Sequence, residues 1–226
     1  METYFKNPIE GYFKIEQFDK YGNLIDSFED KNMIMQSSKT IMRDAMRGES
    51  YTHPNLASYP SQLHINTLVL GTEGHSGDNL LSPKTFDYTK TDLFSVESAN
   101  GKTYPITFNP TLSSNIVLDE GYDGDLPNSR ATTTEVTITK GSDSDNRYIE
   151  YTFIIPIDNA NDGGGAIAYT EAALYANLNQ NIPGLSNNPG DSLVINNQGT
   201  IFAMRTFPAK IKDTETSLRI IWRIIF

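Results

Sequence analysis

Residues 217–226 read SLRIIWRIIF, and their alternation decides the fold class. Leu218, Ile220, Trp222, Ile224 and Phe226 fall on one face of an extended strand, while Arg219, Ile221, Arg223 and Ile225 fall on the other. The first face is apolar without a break, so it has to cover a core. Trp222, the only tryptophan, reads as a core residue in that company rather than as a stacking platform. The second face mixes arginine with isoleucine, which suits a surface covered in part by another element or another chain.

Working back from this strand, residues 200–207 (TIFAMRTF) read as its predecessor, with Pro208 expected to break it. Residues 168–176 (AYTEAALYA) alternate Tyr169, Glu171, Ala173 and Tyr175 against Thr170, Ala172, Leu174 and Ala176, and are read as a strand. Residues 132–139 (TTTEVTIT) and 147–155 (RYIEYTFII) are β-branched and alternating, and they predict a hairpin. Residues 63–70 (LHINTLVL) predict a buried strand that runs into a glycine-rich loop, with shorter strands at 103–108 and 114–118. At the other end of the chain, 12–18 and 24–28 predict a hairpin whose turn, Asp19 to Asn23, places Gly22 where a positive φ is useful.

One segment has helical periodicity. Residues 33–47 (MIMQSSKTIMRDAMR) repeat Ile34, Ile41 and Ala45 on one face, with Asn32 as the expected N-cap and Gly48 beyond the C-terminus. Many short strands with one helix give a mainly β chain, sandwich-like, as a single domain over residues 1–226. Within it an N-terminal hairpin and helix occupy 10–48 and a β core occupies 63–226. Long polar loops are expected at 119–130, at 158–165 and at 177–199, the last with one short strand at Leu193 to Ile195.

Composition narrows the function. The chain has 226 residues, a net charge of −10 and no cysteine. Disulfides and thiolate metal sites are excluded. The acidic balance argues against a nucleic-acid footprint, which needs clustered cations. No apolar run approaches the roughly 20 residues that span a bilayer, and the start METYFKNPIEGYF carries no secretory signal pattern. The last stretch is the exception to the acidity, with Arg205, Lys210, Lys212, Arg219 and Arg223 close together in sequence.

Catalytic and metal-binding patterns are weak. His53, His64 and His75 have no ligand spacing and read as ordinary surface histidines. Gly71, Gly74 and Gly77 follow a strand, but no Gly-Lys-Ser/Thr sequence follows, so a tight bend is the better reading than a phosphate loop. Residues 158–163 match a calcium loop only in part, since Ala160 stands at its third position and Tyr169 at its twelfth. With Asp119, Glu120, Asp123 and Asp125, these are read as solvated acidic loops. No nucleophile–base pair is visible. The expectation is a chain that is not an enzyme, with no catalytic, cofactor or metal residues. Arg205, Arg219 and Arg223 are the candidate assembly contacts.

Several segments taken in order resemble virion proteins of tailed bacteriophages. They are NMIMQSSKTIMRDAMRGE at 32–49, HINTLVLGTEG at 64–74, LLSPKTFDYTKTDLF at 80–94, YTEAALYA at 169–176, IFAMRTFPAKIK at 201–212 and the terminal SLRIIWRIIF. The resemblance covers most of the chain through short motifs, and residues 177–199 have no counterpart in it. It implies a structural component of the tail, baseplate, neck or fibre attachment, made in the host bacterial cytoplasm and incorporated in the virion. The implied partners are copies of itself and neighbouring virion proteins in a symmetric homo-oligomeric assembly, with no nucleic acid, membrane or cofactor. The alternative is a virion-surface module that binds a receptor or carbohydrate; a third is a hydrolase with a carboxylate pair that only the fold would bring together.

Overall fold

A computed structural model of the chain describes residues 9–46, 50–51, 61–62, 65–108, 116–117, 135–143, 146–176 and 200–226. The loops at 119–130 and 177–199, with the strand expected at 193–195, lie outside the described residues, as do His53, His64, Gly48 and the carboxylates from Asp119 to Asp125.

The chain opens with β1 (Glu10–Asp19), β2 (Leu24–Ile34) and helix α1 (Gln36–Met46), then the two-residue strands β3 (Ser50–Tyr51) and β4 (Ser61–Gln62). β5 (Ile65–Gly71), β6 (His75–Ser76), β7 (Asn79–Pro83), the short helix α2 (Phe94–Glu97) and β8 (Thr103–Thr107) follow. β9 (Ile116–Val117), β10 (Glu135–Asp143), β11 (Asn146–Ile155), β12 (Ile167–Ala176), β13 (Thr200–Lys212) and β14 (Thr216–Ile225) complete it. The architecture is mainly β, as the alternation requires.

Ten strands join in the antiparallel order β8-β5-β12-β13-β2-β1-β14-β11-β10-β9. This order has a narrow waist. β2 meets β13 only at Met33↔Met204 and Ile34↔Ala203, whereas β1 and β14 pair over ten positions from Glu10↔Ile225 to Asp19↔Thr216. About the waist the sheet curls back on itself. Phe13 of β1 therefore stacks on Phe207 of β13 with ring centroids 5.4 Å apart, and Trp222 of β14 meets Phe13 edge-on at 4.9 Å. The two half-sheets enclose one apolar cluster that includes Ile15, Leu68, Phe153, Leu174, Ile220 and Trp222. A second cluster covers the other face of the β5–β12–β13 half. It joins Val69, Ala173, Tyr175 and Met204 to Leu93 and Val96 of the 84–97 segment. β12 is thus covered on both faces, and every residue from Tyr169 to Ala176 is buried.

The terminal strand behaves as its alternation demands: Leu218, Ile220, Trp222 and Ile224 are buried. Phe226 departs from the expectation. It lies beyond the strand, is 47% exposed and donates its N–H to Arg147 O. The helix also starts later than its periodicity suggests. Met33 and Ile34 are drawn into the waist ladder, and Met35 N donates to Phe202 O at 2.9 Å. Sheet pairing outweighs a weak local helical preference there, so Asn32 is a strand residue and caps nothing. Nor does Pro208 end β13. Phe207, Pro208 and Ala209 bulge opposite the single residue Thr170, between the pairs Thr206↔Glu171 and Lys210↔Tyr169. A bulge needs no ladder N–H from the proline, and β2 pairs with β13 only further back, so the missing donor costs nothing. The stretch expected to be loop after Gly71 holds the small β6–β7 hairpin, His75↔Pro83 and Ser76↔Asn79. At Asp19 to Asn23 the expected turn is present, with Gly22 at φ +84°.

Candidate functional site

Three of the segments that carry the resemblance, far apart in sequence, are neighbours in the fold. LVLG is β5, YTEAALYA lies in β12 and IFAMRTFPAKIK is the body of β13, and these strands lie side by side. Glu171 of β12 ties them to a fourth segment, 80–94. Its side chain is 0% exposed. One carboxylate oxygen accepts the Phe94 N–H at 3.0 Å, and the other accepts the Ser95 N–H at 2.7 Å and the Ser95 hydroxyl. With its proton committed to Glu171, Ser95 Oγ accepts the N–H groups of Thr72 and Glu73 at 2.7 and 2.9 Å. The Gly74 N–H goes to Thr170 Oγ1 at 2.8 Å. A Cβ on Gly71 would stand 2.5 Å from Ser95 Oγ and 2.6 Å from Glu171, and one on Gly74 would stand 2.6 Å from the Thr170 carbonyl. The glycine turn therefore exists so that the backbone can close over a buried glutamate. Gly77 lies outside this knot.

Burial drives the Glu171 carboxyl upward from its ordinary range, against the hydrogen bonds from Ser95 and Phe94. Beside it Tyr175 donates its hydroxyl to Asp92, whose carboxyl is likewise pushed up by burial. Two ammonium groups flank this region, Lys84 at 4.7 Å and Lys90 at 4.0 Å from the centre of the Phe94 ring. The oxygens of Glu171 point into backbone donors, so the geometry organises a turn rather than a reacting group.

The partial calcium loop resolves differently from the solvated loop expected. Asn159, Ala160 and Asn161 are buried, and Asn161 Oδ1 receives a hydrogen bond from a buried lysine. Lys212 of β13 is 0% exposed and donates to Ile157 O and Asn161 Oδ1, each at 2.8 Å, and to Asp213 O at 2.7 Å. Desolvation lowers its pKa to about 7, opposed by Asp213 and Asp158. Ala160 takes φ +58° to complete the turn, and its carbonyl accepts the Tyr169 hydroxyl at 2.9 Å. Among the described residues no group of three or more His, Asp or Glu is placed to hold a metal. His75 uses its Nδ1–H on Thr72 O at 3.0 Å.

The three arginines expected as contacts all have partners within the chain. Arg205 pairs with Asp30 and donates to Lys31 O, bridging the opening between β13 and β2. Arg219 pairs with Glu16 and lies over Phe18, and Arg223 pairs with Glu150 and lies over Tyr148. The missed partners, Glu16 and Glu150, stand directly opposite in register, Glu16↔Arg219 and Glu150↔Arg223. Sequence alternation showed which face carries the arginines but not which strands would flank β14.

Arg219 and Arg223 belong to a broad face made by alternate residues of β2, β1, β14, β11 and β10. It carries four cations, Lys14, Lys31, Arg219 and Arg223. Against them stand the acidic residues Glu10, Glu16, Glu29, Glu135, Asp143 and Glu150. Most of these are cross-linked: Lys14 to Glu16 at 2.9 Å, Lys31 to Glu10 at 3.4 Å, and Tyr12 Oη–H to Glu29 at 3.0 Å. Burial tends to raise the Glu16 carboxyl, but hydrogen bonds from Arg219 and Lys14 hold it below its ordinary range. Ile221 lies between the two arginines, with Lys14 on one side and Thr152 on the other.

No family model matches the chain, and neither a curated protein nor a solved structure is significantly similar to it.

Proposed function

We propose that this chain is a structural component of a tailed-phage virion. In this reading it forms a ring or peripheral layer in the tail, baseplate or neck through contacts with copies of itself and with neighbouring virion proteins. The observation that carries it is the convergence of the resembling segments. The glycine turn, the Glu-Ala-Ala-Leu-Tyr strand and the Phe-Ala-Met-Arg-Thr-Phe strand form one contiguous half-sheet, and their distinctive residues, Gly71, Gly74 and Glu171, touch one another. Segments far apart in sequence thus meet around one buried turn. Their contacts also give the motifs a physical purpose, since they specify a buried turn.

The buried ionic groups support a mechanical role. Glu171 and Lys212 spend their hydrogen bonds on backbone groups, a serine hydroxyl and an amide, which stiffens the sheet.

Particles purified by density gradient, from cells carrying the gene in its native setting, should contain the chain. Its copy number should be a multiple of the particle's rotational symmetry. Recovery of the chain only in the soluble fraction would contradict the proposal. Binding of the isolated protein to cells or glycans, without incorporation, would favour the receptor- or carbohydrate-binding module instead.

A further inference from the structure

We infer that Lys212 and Asn161 join in an intramolecular isopeptide bond, a covalent clamp between the end of β13 and the turn that leads into β12. The inference concerns the isolated chain and does not depend on the assembly reading above.

The environment of the lysine is the first argument. Lys210, two residues earlier and also buried, pairs with Asp26. Lys212 is 0% exposed, yet every hydrogen bond it makes among the described residues goes to a neutral oxygen: Ile157 O, Asn161 Oδ1 and Asp213 O. Nothing there compensates an ammonium by direct contact, and a buried charge without such a partner tends to neutralise. Desolvation accordingly brings its pKa to about 7, with Asp213 and Asp158 opposing the fall. Near neutral pH a large share of the folded chain therefore holds a free amine, which is a nucleophile.

Placement is the second argument. Nζ lies 2.8 Å from Oδ1 of Asn161, a side chain that is itself 8% exposed. Two of the three Nζ directions are fixed by Ile157 O at 2.8 Å and Asp213 O at 2.7 Å. When the third proton leaves, the lone pair faces the amide, whose carbonyl carbon is one bond beyond Oδ1. The amide is held as well. Its Nδ2 donates to Ile157 O at 2.9 Å, the Tyr169 hydroxyl anchors Ala160 O, and Asp162 pairs with Lys102. Fixing both reactants in contact removes much of the entropic barrier to their reaction.

The step balances without a co-reactant. The Nζ lone pair forms a bond to Asn161 Cγ, and the Cγ–Nδ2 bond breaks. One Nζ proton passes to Nδ2, which leaves as ammonia, while Oδ1 remains as the carbonyl of the new amide. Nothing is oxidised or reduced. Asp158 and Asp213, whose charges reach Nζ, are the groups at hand to carry the proton. No acid hydrogen-bonds to the Asn161 amide among the described residues, so the bond forms slowly and after folding. The freshly folded chain is unlinked and is the species in which Lys212 titrates. Once formed, the bond closes residues 161–212 into a covalent ring that contains β12 and β13, and so restrains the unfolded chain.

The full chain, folded and incubated at mildly alkaline pH, should lose the mass of one ammonia as followed by intact mass spectrometry. Proteolysis should then release a branched peptide that contains both Asn161 and Lys212. The linked chain should run faster than the unlinked one on a denaturing gel and should unfold at higher urea. Lys212→Met and Asn161→Ala should each keep the full sequence mass. Lys212→Arg retains the buried charge without a primary amine and serves as the block if Lys212→Met does not fold.

Full sequence mass after prolonged incubation of the folded parent would overturn the inference. So would an ammonia loss that persists when Lys212 is replaced. A loss that maps only to Asn100 would also overturn it, because Asn100 precedes Gly101 and can expel ammonia by closing on its own backbone. The branched peptide comes from the parent itself, so the result stands whether or not a variant folds.

Discussion

Replacing Glu171 by alanine removes the acceptor for three donors at once: the Phe94 N–H, the Ser95 N–H and the Ser95 hydroxyl. The site is fully buried, so water does not replace the carboxylate without opening the turn. Each buried donor left unpaired costs about 1–3 kcal/mol. Relaxation of the 71–75 turn recovers part of the sum, which leaves a loss of about 3–5 kcal/mol. That is a large share of the roughly 5–15 kcal/mol by which a typical domain is stable. Urea unfolding of Glu171→Ala should show a midpoint lowered accordingly with an unchanged slope. Ser95→Ala should be strongly coupled to it in a double-mutant cycle, because both side chains hold the same turn. Glu171→Gln keeps one acceptor oxygen and should cost less. It should also remove a pH dependence. Burial raises the carboxyl of Glu171. Between its unfolded and folded values the native chain therefore holds a proton that the unfolded chain has released, and this contribution to stability is lost as pH rises through that window. A Glu171→Ala variant within about 0.5 kcal/mol of the parent, as for an ordinary surface change, would refute the view that this glutamate locks the half-sheet.

Lys212 titrates in the opposite sense. Its folded pKa is about 7 against an ordinary value of 10.5, so between them the unfolded chain holds the extra proton and stability should rise with pH. Urea midpoints across that window should show the rise, and Lys212→Met should flatten it. Trp222→Ala should cost about 3–5 kcal/mol by leaving a cavity beside Phe13. Trp222→Phe should be much milder, since it deletes a buried indole N–H that has no acceptor; equal midpoints for the two variants would contradict the packing described. Arg219→Glu should destabilise more than Arg223→Glu, by about 2 kcal/mol against less than half that, because Glu16 is 6% exposed and Glu150 20%. Thermal melts of the two variants in low salt give the comparison.

The strands were legible because alternation is a local signal. SLRIIWRIIF announces its buried face whatever pairs with it, and YTEAALYA reads as extended despite its alanines. Sequence did not disclose what depends on distant partners. Met33 and Ile34 look helical until β13 is there to pair with them, and Pro208 looks like a stop until a bulge receives it. The arginines of β14 look available until β1 and β11 bring Glu16 and Glu150 alongside. The loop at 158–165 looks solvated because nothing near it in sequence reveals that Lys212 will enter it. The knot at Glu171 was half visible: glycines spaced by three after a strand point to a tight bend, but Glu171 reads only as one member of an alternation, and their contact is a property of the fold. A buried acid in such a strand is the signal that could have found it, since it requires donors nearby.

We propose that this curled sheet is a repeated part of a phage particle, and a cryo-EM map of the intact particle is the sharpest test. The map should show density for the ten-stranded sheet in several copies related by the particle's rotational symmetry. A complete map in which every ordered component is assigned and no density fits this sheet would contradict it.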